Sequence, residues 1–338
     1  MKLLKKIGSS ILLSTILMTN IAPSYASHDL DVGEVNNTIL TSEITDIGEE
    51  RSAPNPESLY YKTIDNGIKG IHEQMVTGAV RQMLNGEYKV EPRDDKPGFS
   101  LITLNNRYFN MRGKYTYKEI FDMAYHTTRM MSSIYHKGSN QTFYFPPIVD
   151  GYDSKGKLVL DENDRIYQTL ITIRFTVPTY KLDTIKKERQ WIRDFSNNQL
   201  KGKSKYQKMV IAHDWIVDNS YYNLRDDEDD TTVDSIYDSY TIIKKGFGVC
   251  NAYASLFQKI LIYNDIRVLF IQGDSYQSGE PVGHVWNKVY VDGKWQNIDV
   301  TWDDPVGNTI KGRKDYFLVP DSAFEGKRDF KYTYWPRG

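Results

Sequence analysis

The sequence runs to 338 residues, 40% hydrophobic and 26% charged, enough chain for two ordinary domains and ample for a packed core. Lys and Arg number 43 against 44 Asp and Glu, with no basic stripe, which argues against a nucleic-acid partner. A single cysteine, Cys250, excludes an intramolecular disulfide.

In chain order, Lys2, Lys5 and Lys6 precede an apolar run from Ile7 to Ile21, and "APSYAS" offers a small-residue cleavage site after Ala26. This predicts a secretory signal peptide over residues 1–26, too short and wrongly flanked for a stable membrane span. With no second long apolar stretch, the mature protein is expected to leave the membrane and act outside the cell. Exported proteins usually use disulfides, so a lone thiol there is either buried and inert or kept for its reactivity. Residues 27–58 carry eight acids against the single base Arg51, with few large apolar side chains, and are expected to form a disordered acidic leader.

From Leu59 the apolar residues Ile64, Ile68, Ile71, Met75 and Val76 recur at helical steps up to Leu84. A strand over "FSLITLN", a second helix from Tyr117 to Ile134, then "TFYFPPIV" and "IYQTLITIRFTV" follow, with a turn at Asp153–Gly156. Residues 59–190 thus read as an α+β domain without a chemical motif. His126 and His136 lack the spacing and acidic companions of a metal site, so they are expected to be ordinary helix or core histidines. A helix over Ser204–Asn219 places Tyr206, Met209, Val210, His213 and Val217 on one stripe, where His213 is expected as a satisfied core histidine rather than a second catalytic one. "RDDEDDTTVD" lacks the alternating ligands and central glycine of an EF-hand loop and is expected to be a solvated acidic loop, a calcium site being the alternative.

"KKGFGVCNAYASLFQKILIYNDIRVLFIQG" reads as loop, helix and strand, with Gly246 and Gly248 just before Cys250. Cys250 is therefore expected at a helix N-terminus. Unpaired N–H groups there stabilise a thiolate and can donate to an oxyanion. The alternative makes "VC" the last buried pair of a strand, but a strand interior rarely holds two glycines.

"GHVWNKVYVDGKWQNIDVTWDDP" carries the second half of the constellation. Asp292-Gly293 signals a type I′ hairpin, which sets Trp286 opposite Asp299 and His284 opposite Thr301. His284 and Asp299 then become diagonal neighbours on one face, roughly 7–8 Å apart at Cα. Val285, Val289 and Val291 join Ile298 and Val300 on the other face, the expected core side. An aspartate that orients one imidazole nitrogen leaves the other for a nucleophile, and Cys250 is the nucleophile that needs such a partner. Asp303, in the exposed-looking "WDDP" turn, is expected to stand apart from this chemistry. Trp286, Trp295 and Trp302 crowd the hairpin and are expected to pack there, a wall of an acceptor channel and substrate contact by Trp286 being the alternative. Tyr237 and Tyr240 are candidates for a second oxyanion donor and for substrate contact.

"GFGVCNAYASLF", "GHVWNKVYVDGKW" and "NIDVTWDDP" resemble the three motif blocks of the transglutaminase-like superfamily, and "KMVIAHDWIVDNSYYN" is similar to the helix that precedes them. The resemblance covers about residues 204–320. It implies an α+β fold with a papain-like core at residues 191–338 and an N-terminal companion domain at residues 59–190. It also implies Cys250 as nucleophile, His284 as general base and acid, and Asp299 as the orienting residue; no cofactor or metal is expected from the residues. Two departures are Ala252, where many members have glycine, and the absence of a histidine in "FEGKRDFKYTYW". The implied reaction is acyl transfer on protein or peptide amides, with hydrolysis slightly favoured over crosslinking. Cell-wall stem peptides are an alternative substrate, and a non-catalytic scaffold a further alternative that the intact Cys, His and Asp weigh against.

Overall fold

The structure is a computed structural model that describes residues 68–136, 145–223, 235–277, 280–304, 313–324 and 328–329. The expected signal peptide, the acidic leader and the acidic segment 225–234 lie outside these residues. Two compact units divide the chain at His72, inside the first helix, and the unit from His72 onward holds the rest of that helix and every later element described below.

After helix α1 (Ile68–Asn85) come strands β1 (Tyr88–Pro92), β2 (Phe99–Leu104) and β3 (Arg107–Thr116). Helix α2 (Tyr117–Tyr135) starts on a capping box. The Thr116 hydroxyl accepts from the Glu119 N–H at 3.3 Å, and the Glu119 carboxylate accepts from the Thr116 N–H at 2.8 Å. Strands β4 (Ile148–Tyr152), β5 (Arg165–Thr172) and β6 (Arg174–Pro178) follow. Antiparallel sheets form in the orders β1-β2-β6 and β3-β5-β4. The apolar run "IYQTLITIRFTV" is thus shared between two sheets, breaking at Ile173, whose carbonyl accepts from Leu104 N–H at 3.0 Å. The turn expected at Asp153–Gly156 is an Asx turn, with the Asp153 carboxylate accepting from the N–H groups of Lys155 and Lys157.

Helix α3 (Lys181–Phe195) runs into a short π turn (Ser196–Leu200) and then α4 (Lys205–Asn219), which begins on a second capping box between Ser204 and Gln207. The boundary expected between residues 190 and 191 falls inside α3. A two-residue strand β7 (Tyr221–Tyr222) pairs in parallel with β8 (Phe247–Gly248), on the far side of helix α5 (Ser239–Lys245). Helix α6 (Cys250–Tyr263) is the centre of the unit: every residue from Asn251 to Ile262 is buried. Strands β9 (Val268–Gln277), β10 (Glu280–Val291), β11 (Lys294–Ile298), β12 (Phe317–Val319) and β13 (Arg328–Asp329) make a sheet ordered β12-β11-β10-β9-β13.

The hairpin forms as its turn chemistry dictates. Asp292 and Gly293 both take positive φ, 50° and 80°, as a type I′ turn requires. The ladder runs from Val291↔Lys294 to Asn287↔Ile298. Val289, Ile298 and Val300 are buried as expected for a core side, whereas Val285 and Val291 of the same face are half-buried. The opposite face is covered too, because Trp286 packs with Leu269, Ile271 and Phe324. This mixture of helices with largely antiparallel sheets is the α+β class expected.

Candidate active site

Cys250 occupies the first position of α6, with Val249 as N-cap. The two glycines before it have separate causes. Gly246 closes α5 in the left-handed region, φ 72°, while its N–H donates to Ile242 C=O at 2.9 Å. Gly248 is crowded: a Cβ there would lie 2.8 Å from Ala252 Cβ and 3.2 Å from the Ile236 carbonyl oxygen. The alternative of a strand ending at "VC" is thus resolved into a two-residue strand followed directly by the helix. The helix start is held by Asn251, whose side-chain amide donates to the carbonyls of Ser133 (3.0 Å) and Tyr237 (3.1 Å). The Cys250 side chain is half-buried.

On the hairpin, His284 Nε2 lies 2.8 Å from Asp299 Oδ2, and the Asp299 Oδ1 accepts from Trp302 N–H at 3.1 Å. His284 is also hydrogen-bonded to Cys250, for which Nδ1 is the ring nitrogen left by the contact to Asp299. The structure therefore brings Cys250, His284 and Asp299 into one line. Burial pulls the imidazole pKa of His284 down, but the negative charge and hydrogen bond of Asp299, followed by Cys250, outweigh it and raise the value to about 9. The ring stacks 6.0 Å from Trp286 and meets Trp302 at 5.8 Å.

Trp286 does not stand at an open wall. It is 1% exposed, its indole N–H donates to Asn297 Oδ1 at 3.1 Å, and its ring packs edge-on to Phe324. Packing describes it, because the second face of the hairpin is roofed by residues distant in sequence. Trp302 and Trp295 remain partly exposed. Tyr237 is buried, and its backbone is committed: the N–H donates to Ser235 Oγ and the carbonyl receives Asn251. Tyr240 is half-buried on α5.

Asp303 corrects an expectation, since it is wholly buried rather than exposed. Its Oδ2 lies 3.0 Å from His213 Nε2 and its Oδ1 accepts from Tyr316 N–H at 2.9 Å. His213 Nδ1 in turn meets Asp214 Oδ1 at 3.0 Å, and its ring packs edge-on to Phe317. His213 is thus a satisfied core histidine between two carboxylates, which raise its pKa against the downward pull of burial. Asp304 accepts from Tyr253 hydroxyl at 2.6 Å. Burial, reinforced by Asp218, lifts its pKa to about 6 against that hydrogen bond. The sequence held no local signal for these contacts, which join residues 50 to 90 positions apart.

Behind Cys250, four buried charged groups fasten the helices. Lys259 of α6 bonds Glu188 of α3 at 2.8 and 3.0 Å and Ser239 at 2.8 Å, and Lys181 pairs with Asp238. Each charge has a partner of opposite sign, which burial demands. Burial lowers the pKa of His126 to about 4 and that of His136 to about 3, so both stay neutral. Among the described residues no group of three or more His, Cys, Asp or Glu could hold a metal ion.

Residues 193–300 match the family model of the transglutaminase-like superfamily, and the chain therefore carries a transglutaminase-like domain. Kyphoscoliosis peptidase from human is 29% identical over 89 residues, covering 22% of this chain and 14% of that one; the mouse protein is 28% identical over the same length. The match thus spans about a seventh of those relatives. Among solved structures, a protein of Cytophaga hutchinsonii assigned as a cysteine protease covers 53% of this chain and 64% of its own at 18% identity and TM-score 0.29. The periplasmic domain of TgpA from Pseudomonas aeruginosa covers 64% and 75% at 11% identity and TM-score 0.25. Members of the superfamily are typically enzymes, cysteine proteases or transglutaminases.

Proposed function

We propose that the protein is a secreted thiol acyl-transfer enzyme acting on protein or peptide amide bonds, with hydrolysis as its favoured outcome. The observation that carries this reading is the hydrogen-bonded line Cys250–His284–Asp299 with Cys250 at the first position of a helix. The helix N-terminus and the imidazolium both stabilise a thiolate. That thiolate attacks the carbonyl carbon of a bound amide. First-turn N–H groups of α6 face the developing oxyanion. His284 gives its proton to the leaving amine as the C–N bond breaks, which leaves a thioester on Cys250 and a neutral imidazole. Water then loses a proton to His284 and attacks the thioester, releasing the carboxylic acid and the thiol. Asp299 holds the ring and stabilises its cationic form.

Hydrolysis is favoured because the curated relatives are peptidases, and because Trp286, the residue best placed by sequence to line an amine channel, is packed inside. The charged start and apolar run of residues 1–26 support export, which would put protein or cell-wall peptides within reach. The test is incubation with a casein-type substrate, with and without a labelled primary amine, followed by mass spectrometry. Cleavage without amine incorporation, abolished by Cys250→Ala, is expected. Incorporation without cleavage would make the enzyme a crosslinking transglutaminase, and no reaction under either condition would remove the enzymatic reading.

A further inference from the structure

Three elements carry the reacting line: helix α6 with Cys250, strand β10 with His284, and the turn Asp299–Asp304. Side-chain contacts join them pairwise. Asn287 of β10 donates to the carbonyl of Ala254 on α6 at 3.2 Å. His284 and Asp299 join β10 to the turn. The third side is Tyr253, buried on α6 three residues after Cys250, whose hydroxyl donates to Asp304 Oδ2 at 2.6 Å. Ser220, at the end of α4, also hydrogen-bonds that hydroxyl.

We propose that Tyr253 and Asp304 are positioning residues: their contact fixes the turn that bears Asp299 against the nucleophile's helix, and thereby keeps His284 in register with Cys250. The inference rests on the acyl-transfer reading above. The turn has a separate anchor, because Asp303 ties it to His213 of α4 and to the Tyr316 backbone. Asp303 N–H also donates to Asp299 C=O at 3.1 Å, and Asp299 N–H to Tyr316 C=O at 3.0 Å. That anchor closes the turn on itself and on α4. Tyr253 ties it to the helix that carries the thiol. Tyrosine suits the task, since a ring with two side-chain torsions loses little freedom when its hydroxyl is held, and an O–H to carboxylate bond is among the shorter and stronger kinds.

The experiment reads the rate at which iodoacetamide alkylates Cys250, the protein's one cysteine, from pH 7 to 10.5. The upper inflexion reports loss of the imidazolium proton of His284. In the unmodified protein it is expected near 9, and His284→Ala should abolish it. Tyr253→Phe, which keeps the ring and removes the hydroxyl, is expected to lower the inflexion by about one pH unit, a tenfold change in the protonation equilibrium. Asp304→Ala breaks the contact from the other side and should give the same shift even if the tyrosine variant does not fold. Asp304→Asn keeps an oxygen acceptor and should recover at least half of that shift. A profile for Tyr253→Phe superimposed on the parent's, or an Asp304→Asn profile displaced as far as that of Asp304→Ala, overturns the positioning role. If the unmodified protein shows no upper inflexion sensitive to His284→Ala, the acyl-transfer reading fails first, a distinct result.

Discussion

The backbone N–H of Trp302 donates to one oxygen of Asp299 at 3.1 Å while the other oxygen meets His284 Nε2 at 2.8 Å. This fixes how an amide would sit in place of the carboxylate. In Asp299→Asn the carbonyl oxygen takes the Trp302 N–H, so the NH₂ group faces His284. Nε2 must then act as acceptor, and the ring proton moves to Nδ1, where it points at Cys250 and blocks proton transfer from the thiol. In a serine-protease triad the corresponding change costs about 10⁴ in rate. A thiol is partly ionised already, so a loss of roughly 10²–10³ in kcat/KM is expected, with little change in thermal midpoint. Full activity in this variant would remove Asp299 from the mechanism.

Asp303→Asn, which the sequence alone would offer as a neutral control, is expected instead to lower stability. It neutralises a buried carboxylate that serves His213 and the Tyr316 N–H, and a hydrogen bond to a charged group contributes about 1.5–3 kcal/mol. Denaturant titration should place its midpoint well below the parent's. A midpoint equal to the parent's would mean that the His213–Asp303 contact contributes nothing to the fold.

Gly248→Ala tests the approach to the nucleophile. The added methyl would lie 2.8 Å from Ala252 Cβ and 3.1 Å from Ile242 Cγ1, inside contact distance of groups that cannot retreat. Overpacking of this kind costs about 1–3 kcal/mol. Because the crowding is two residues before Cys250, the thermal midpoint and the alkylation rate should fall together. If stability falls while alkylation keeps its parent rate, the helix start is less rigidly placed than the packing implies.

The pH dependence of stability has a definite sign. His284 has a folded pKa of about 9, above its unfolded value of about 6.5. A raised basic group stabilises fully below the unfolded pKa and loses that contribution as pH rises through the folded one. Urea unfolding should therefore show a decline between about pH 6.5 and 9 in the parent, on the order of 3 kcal/mol. The decline should be absent in His284→Gln. Asp304, lifted to about 6, contributes a fall of the same sign at lower pH in both proteins, so the difference between the two curves isolates the histidine. Parallel curves would show that the imidazolium is not stabilised by folding.

The features legible in the sequence were those set locally. Asp292-Gly293 determines a turn, the turn determines a register, and the period of two places His284 and Asp299 on one face. Two glycines and a change of period put Cys250 at a helix start. What could not be read depends on residues brought in from afar. Nothing near Trp286 announces that Phe324 will cover it, and "WDDP" looks like an exposed turn until His213 and Tyr253 arrive from two other helices. The run "IYQTLITIRFTV" is extended as its pattern predicts, but its division between two sheets is decided by partners in β2 and β3, far back in the chain.

Helix α6 is interior from Asn251 to Ile262, and only its two end residues, Cys250 and Tyr263, are half-buried. Sequence drift in this protein is therefore constrained unevenly. A substitution along the helix body that opens a cavity, overpacks or strands a polar group lowers the stability of the whole unit. Cys250, half-buried at the helix start, is a position where chemistry can be lost and the fold retained. A lineage that abandoned the reaction would be expected to show a changed residue at position 250 above an otherwise preserved helix.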